Sequence, residues 1–107
     1  MEITFDEPPQ GLDFPTAIDL MRQGHSVSRA AWSGEGPECP MYLVLIPGRK
    51  IKASCEPMVT HLGRNTEFTV RDHIDAILEG EDDGPHVIVG WPLRQEDVLA
   101  DDWFLAP

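Results

Sequence analysis

Arg49, Lys50, Arg64 and Arg71 are basic residues near the middle of the chain, and Asn65 and Phe68 are interleaved with them. Together these side chains have the chemistry of a nucleotide site. A guanidinium forks onto two phosphate oxygens. A phenyl ring stacks on a base, worth about 1–3 kcal/mol. An amide hydrogen-bonds a base edge or a ribose hydroxyl. The plainer reading is solvated charge around a core Phe, and composition alone does not separate the two.

His73-Ile74-Asp75 is the second constellation. In extended backbone, residues two apart share a face, so His73 and Asp75 form either an acid–base pair, half of a metal site, or a histidine anchored by hydrogen bonds near a hairpin. His25, His61 and His86 are scattered without ligand spacing. Cys39 and Cys55 also lack metal-type spacing, and a reducing compartment favours free thiols over a disulfide. Nothing adjacent to Cys39 in sequence marks it as an activated nucleophile. The chain contains no phosphate loop of the GxxxxGK[ST] or GxGxxG type, no G-x-S-x-G elbow and no HExxH.

Charge narrows the partners. Eight Lys and Arg face nineteen Asp and Glu, a formal net charge of −11. Binding along DNA or RNA backbones requires an excess of cations, so that class is disfavoured. One small anion is not, because two or three placed arginines suffice for a diphosphate. The acidity itself implies solubility or, less simply, an acidic decoy surface. A chain of 107 residues suits a single domain over residues 1–107. No run approaches the ~18 apolar residues of a membrane span. The opening MEITFDEPPQ has neither the basic nor the apolar region of a secretion signal, which implies a cytoplasmic protein.

These residues need elements to position them. Residues 1–12 read as a lead-in, with Ile3 and Phe5 in a short edge strand. Phe14, Ala17, Ile18 and Met21 fall at helical spacing behind Asp13 and before Gly24, which predicts a helix over 14–23. Residues 25–32 read as a strand, and Ser33 to Pro37 as a turn cluster. MYLVLI, ended by Pro47-Gly48, predicts a buried central strand. Arg49 to Lys52 reads as a basic patch, and 54–66 as irregular. Residues 67–71 alternate as a strand, 73–78 continue it past a kink at Asp72, 79–85 form an acidic tip and 86–91 return. A short helix over 94–100 and a last strand over 103–105 complete an α+β fold: a small antiparallel sheet, one main N-terminal helix and a short C-terminal helix. In the tail, Leu99 and Trp103 are expected to be buried, with Asp97 and Asp101 near the ends of the short helix.

Four segments, in this order, resemble the Thoeris anti-defence family of phage proteins. The stretch Phe14 to Gly24, then Val27-Ser28-Arg29 and Ala31-Trp32-Ser33-Gly34, is similar to its helix, glycine, V-x-R strand and W-N-G. Tyr42 to Gly48 is similar to its F-x-x-x-V-P-G, and Arg71 to Asp75 to its R-P-H-I-D. Val87 to Trp91 followed by Gln95 to Trp103 resembles I-V-P-W and then S-Q-x-D-x-L-A-x-D-W, the most specific piece. The likeness spans about residues 14 to 105. It departs at Ser33, at Asp72 in place of proline, at Gly90 to Arg94, and in a longer tip from Glu79 to Pro85.

The resemblance implies a sponge: a protein without catalytic residues, cofactor or metal that binds cyclic ADP-ribose isomers intact and withholds them from the defence effector. It implies pockets between protomers of a homodimer or trimer of dimers, a separate site for cyclic oligonucleotides in some members, and action in the host-cell cytoplasm. It implies no DNA or RNA partner and no membrane. The ligand-binding residues expected here are Arg71, Phe68, Asn65 and Arg49, with His73 and Asp75 as secondary groups that touch ribose or shape the pocket. The competing functions are a small phosphodiesterase or lyase with His73 as base, and an acidic inhibitor that binds a host protein directly.

Overall fold

The computed structural model describes residues 10–32 and 41–106. The expected strand at Ile3 and Phe5, the turn cluster Ser33 to Pro37, and Cys39 lie outside the described residues. Helix α1 covers Phe14–Arg22. The Thr16 N–H donates to Asp13 Oδ1 at 3.0 Å, so Asp13 caps the helix as its type and position predict. Hydrogen bonds from Thr16 hold the Asp13 carboxyl below its ordinary pKa. Gly24, at φ 95°, takes the chain out of the helix. Ala17, Leu20 and Met21 on α1 are buried.

Strand β1 is Val27–Arg29, β2 is Met41–Ile46, β3 is Arg49–Lys52 and helix α2 is Met58–Leu62. They are followed by β4 at Glu67–Val70, β5 at His73–Leu78, β6 at His86–Ile88, helix α3 at Gln95–Val98 and β7 at Trp103–Leu105. A five-stranded antiparallel sheet runs β6-β5-β2-β1-β7, and β3 pairs with β4 in a second, two-stranded sheet. The α+β architecture with one main N-terminal helix is as the sequence predicts. Helix α1 lies against β1, β2 and β7. Beneath it Val27, Leu43, Ala76 and Trp103 form the core with Ala17, Leu20 and Met21. Side chains alternate along the strands, so Val44, Ile46 and Ile77 point to the sheet's other face.

Several boundaries differ from expectation, each for a local reason. The strand expected over 25–32 stops at Arg29, and Ala30–Trp32 form a single 3₁₀ turn. Asp102 turns the chain there: its carbonyl accepts from Ala30 N–H at 3.0 Å, and its Oδ2 accepts from Ala31 N–H at 3.1 Å. The strand expected over 86–91 stops at Ile88. Gly90 sits at φ 73° and gives its N–H to Asp75 Oδ1, after which Trp91 N–H meets Ile74 O one residue out of step with the ladder. That offset is a β-bulge. The basic patch Arg49–Lys52 is a strand, and the segment read as irregular holds α2. Leu99 is 82% exposed, which corrects its expected burial; it stands just past the end of α3, whose inward residue is Asp97.

Candidate functional site

The two sheets are parts of one long hairpin. Partner numbers add to 119 in both the β2–β5 and the β3–β4 ladders. The same register reaches Ala53 N–H and Thr66 O, at 2.9 Å. The ladder is interrupted only where Pro47-Gly48 faces Arg71-Asp72. Pro47 has no N–H to give. Gly48 gives its N–H to the Asp72 side chain, Oδ1, at 2.6 Å instead of to a backbone carbonyl. A Cβ on Gly48 would stand 2.6 Å from Val70 O, so this close crossing requires glycine. Beyond the bend, β3, α2 and β4 form an arm from 48 to 72.

The arm reverses the charge of the molecule. It holds five of the eight Lys and Arg residues but only three of the nineteen acids, a net +2. The remaining three cations and sixteen acids give −13 elsewhere. At the base of the arm lies an open groove of about 580 Å³, lined by Gly48, Arg49, Lys50, Thr69, Arg71 and Asp72 together with Val70. The two arginines and Asp72 are exposed. Of the three cations, Lys50 alone has an acidic neighbour among the described residues, Glu67 at 3.9 Å, too long and too exposed to hold it strongly.

The groove thus gathers Arg49 and Arg71 of the six residues singled out by sequence, with Lys50 beside them. Phe68 does not line it. It is half-buried across from Ile51, on the strand face opposite that of Lys50 and Thr69. Asn65 does not line it either: at φ 67° it makes the turn that returns the chain from α2, and its N–H donates to Ala53 O at 2.8 Å. Arg64 is exposed beside it. His73 and Asp75 do meet, on the main sheet, with Nε2 3.4 Å from Oδ1. Asp75 is buried and accepts from Gly90 N–H at 2.9 Å. His73 Nδ1 donates to Arg71 O at 2.9 Å. This pair therefore ties the bulge and the bend to β5. Sequence reasoning did not place Thr69 or Asp72 in the groove; the signal that could have found Asp72 was its departure from the proline of the R-P-H-I-D pattern.

A second titratable cluster is architectural. Arg29 forks onto Asp97 at 2.6 Å and Asp102 at 2.8 Å and lies over the Trp32 ring, 5.9 Å from its centroid. The Asp102 hydrogen bond is the main reason the guanidinium pKa is raised. Burial opposes charge on Asp102, but Arg29 and the Ala31 N–H outweigh it and hold the carboxyl below its ordinary value. Asp97 also accepts the Arg94 N–H at 3.0 Å, closing the start of α3. Trp103 is fully buried, its Nε1–H donates to Asp97 O at 2.9 Å, and it packs on Phe14 and Trp32. Cys55 is an exposed free thiol. Among the described residues no group of three or more His, Cys, Asp or Glu could hold a metal ion, and no helix is long and apolar enough to cross a membrane.

Comparison with curated proteins finds no match to the chain. A family model does match: the Thoeris anti-defense 2-like domain, over residues 12–106. The match spans α1 through β7 and includes both the Arg29–Asp97–Asp102 fork and the cationic arm. The chain belongs to the Thoeris anti-defense 2-like family, and its role is anti-defence.

Proposed function

We propose that the protein is a sponge for a cyclic nucleotide signal, a cyclic ADP-ribose isomer of the Thoeris system, which it binds at the cationic arm and holds intact. The observation that carries this reading is the charge reversal: an arm of +2 on a body of −13, with Arg49, Lys50 and Arg71 around one groove. A diphosphate approaching a chain of net charge −11 meets a repulsive field everywhere except where local cations invert it. The groove volume, about 580 Å³, falls in the range of small-molecule sites, roughly 300–1,000 Å³. His73 Nδ1 donates to Arg71 O and Asp75 accepts from Gly90 N–H, so the acid–base pair the sequence suggested also serves the fold.

The groove is broadly open, and Phe68 does not line it. A pocket shared between two protomers would let one ligand reach both. The sheet face opposite α1 supports such an assembly, with half-buried Val44, Ile46 and Ile77 beside Val87, which is 55% exposed. We place the protein in the host-cell cytoplasm as a homodimer or a trimer of dimers. The test is to incubate the protein with signal made by a Thoeris TIR-domain enzyme, remove free ligand, heat-denature and identify what is released. Intact cyclic nucleotide is expected. A cleaved product points to a phosphodiesterase or lyase, and no bound small molecule points to an inhibitor that acts on a host protein.

A further inference from the structure

We infer that Asp72 is a specificity-determining residue of the groove: one carboxylate oxygen fixes the bend, and the other accepts a hydroxyl of a sugar attached to the bound phosphate. The inference rests on the nucleotide reading above and narrows it to ligands that present phosphate oxygens and a vicinal diol together.

A groove built only to hold phosphate would be expected to contain cations and neutral donors. This one contains a carboxylate as well, in the same lining as Arg49, Lys50 and Arg71. Asp72 Oδ1 is committed to Gly48 N–H at 2.6 Å. Oδ2 has no partner among the described residues, and the side chain is exposed to the groove. An ionised carboxylate only accepts hydrogen bonds. Its free oxygen therefore repels a bare polyphosphate and attracts a group that donates. A ribose hydroxyl next to a phosphate is such a donor, and hydrogen bonds to an ionised acceptor are the stronger kind. Discrimination of this sort is large when a site is built around a hydroxyl, because the analogue lacking it leaves the polar group unpaired. The bend keeps the carboxylate in place: the Gly48 hydrogen bond and the close approach of Gly48 to Val70 O restrict where Asp72 can stand.

The experiment compares AMP with 2′,3′-dideoxy-AMP, which carry the same phosphate and differ only in the diol. Each is titrated by NMR into the full-length wild type and into Asp72→Asn. The amide oxygen of Asn still accepts the Gly48 N–H, so the bend survives while the charge is lost. Wild type is expected to bind AMP at least fivefold more tightly than the dideoxy analogue. In Asp72→Asn the dideoxy analogue should tighten and the two affinities should come within twofold. Equal affinities in wild type overturn the inference whether or not the variant folds. A preference unchanged in folded Asp72→Asn also overturns it and leaves Asp72 as an anchor of the bend alone. Failure of wild type to bind AMP overturns it too, while recovery of intact cyclic signal from the protein would leave the sponge reading standing.

Discussion

Arg29 Nη1 donates to Asp97 Oδ1 at 2.6 Å, a contact between residues 68 apart in sequence. Asp97 is 4% exposed, and removal of its cation would strand a buried carboxylate. Arg29→Ala is therefore expected to cost about 3–5 kcal/mol of stability, measured by urea unfolding. Arg29→Lys should recover only part of that, because an ammonium cannot fork across Asp97 and Asp102. A loss under 1 kcal/mol in the Ala variant would show that the fork does not hold the tail in place.

Acid should act through the same fork. The Asp102 carboxyl lies below its ordinary value in the folded protein, while the unfolded chain titrates near ~3.9. The folded state thus binds fewer protons in this range, and the contribution is full above about pH 5 and is lost as pH falls through ~4 toward the folded value. Thermal midpoints of wild type and Asp102→Asn, measured from pH 7 to pH 3, should converge as the pH falls. A gap that stays constant or widens in acid contradicts the sign.

The tail motif separates two leucine-or-larger positions. Trp103 is fully buried and packs on Phe14 and Trp32, so Trp103→Ala should cost about 3–5 kcal/mol. Leu99 is 82% exposed, and Leu99→Ala should change monomer stability by no more than about 0.5 kcal/mol. A Leu99 effect that grows with protein concentration would assign that side chain to a contact between copies.

What was legible in the sequence was what local rules determine. Asp13 and Gly24 bracket α1, MYLVLI is β2, and the alternation at Phe68 and Val70 marks β4. What was not legible depends on partners distant in sequence. RKIK has no buried face to betray a strand, and only its in-register pairing with β4 makes it one. Helix α2 has five residues and no side-chain cap. The tail alone places Asp97 near an end of the short helix, but its ion pair depends on Arg29, 68 residues away. The site was half legible: Arg49 and Arg71 both line the groove, whereas Phe68 packs outside it and Asn65 serves a turn.

Gly48 is where the bend can be tested. A Cβ there would stand 2.6 Å from Val70 O, a backbone atom that cannot swing aside. Gly48→Ala should move β3 relative to β4 and cost about 1–3 kcal/mol as an overpacked contact. Ligand affinity should fall with it, because Arg49, Lys50 and Arg71 all border the displaced segment. Full affinity in a Gly48→Ala variant whose amide spectrum shows a shifted arm would separate the groove from the bend.

Arg71 should matter most to binding. It lines the groove, is exposed and has no acidic partner among the described residues, so its guanidinium is available to a phosphate. Its carbonyl also accepts from His73 Nδ1 at 2.9 Å, which fixes the backbone from which the side chain projects. Arg71→Ala removes a charge-assisted contact worth roughly 1.5–3 kcal/mol, which corresponds to about ten- to a hundredfold in affinity. Arg71→Lys keeps the charge but not the fork and should recover part of it. Phe68→Ala is the companion variant. Phe68 does not line the groove on its own protomer, so a pocket shared between protomers is one way its ring would reach the ligand. Calorimetry on all three variants, with circular dichroism to verify folding and light scattering to read assembly, distinguishes the cases. A loss of affinity in folded, oligomeric Phe68→Ala supports a pocket that extends beyond the groove, as one between protomers would. Unchanged affinity there, with a loss in Arg71→Ala, confines the site to one arm. Unchanged affinity in Arg71→Ala itself would shift the phosphate contact to Arg49 and Arg64.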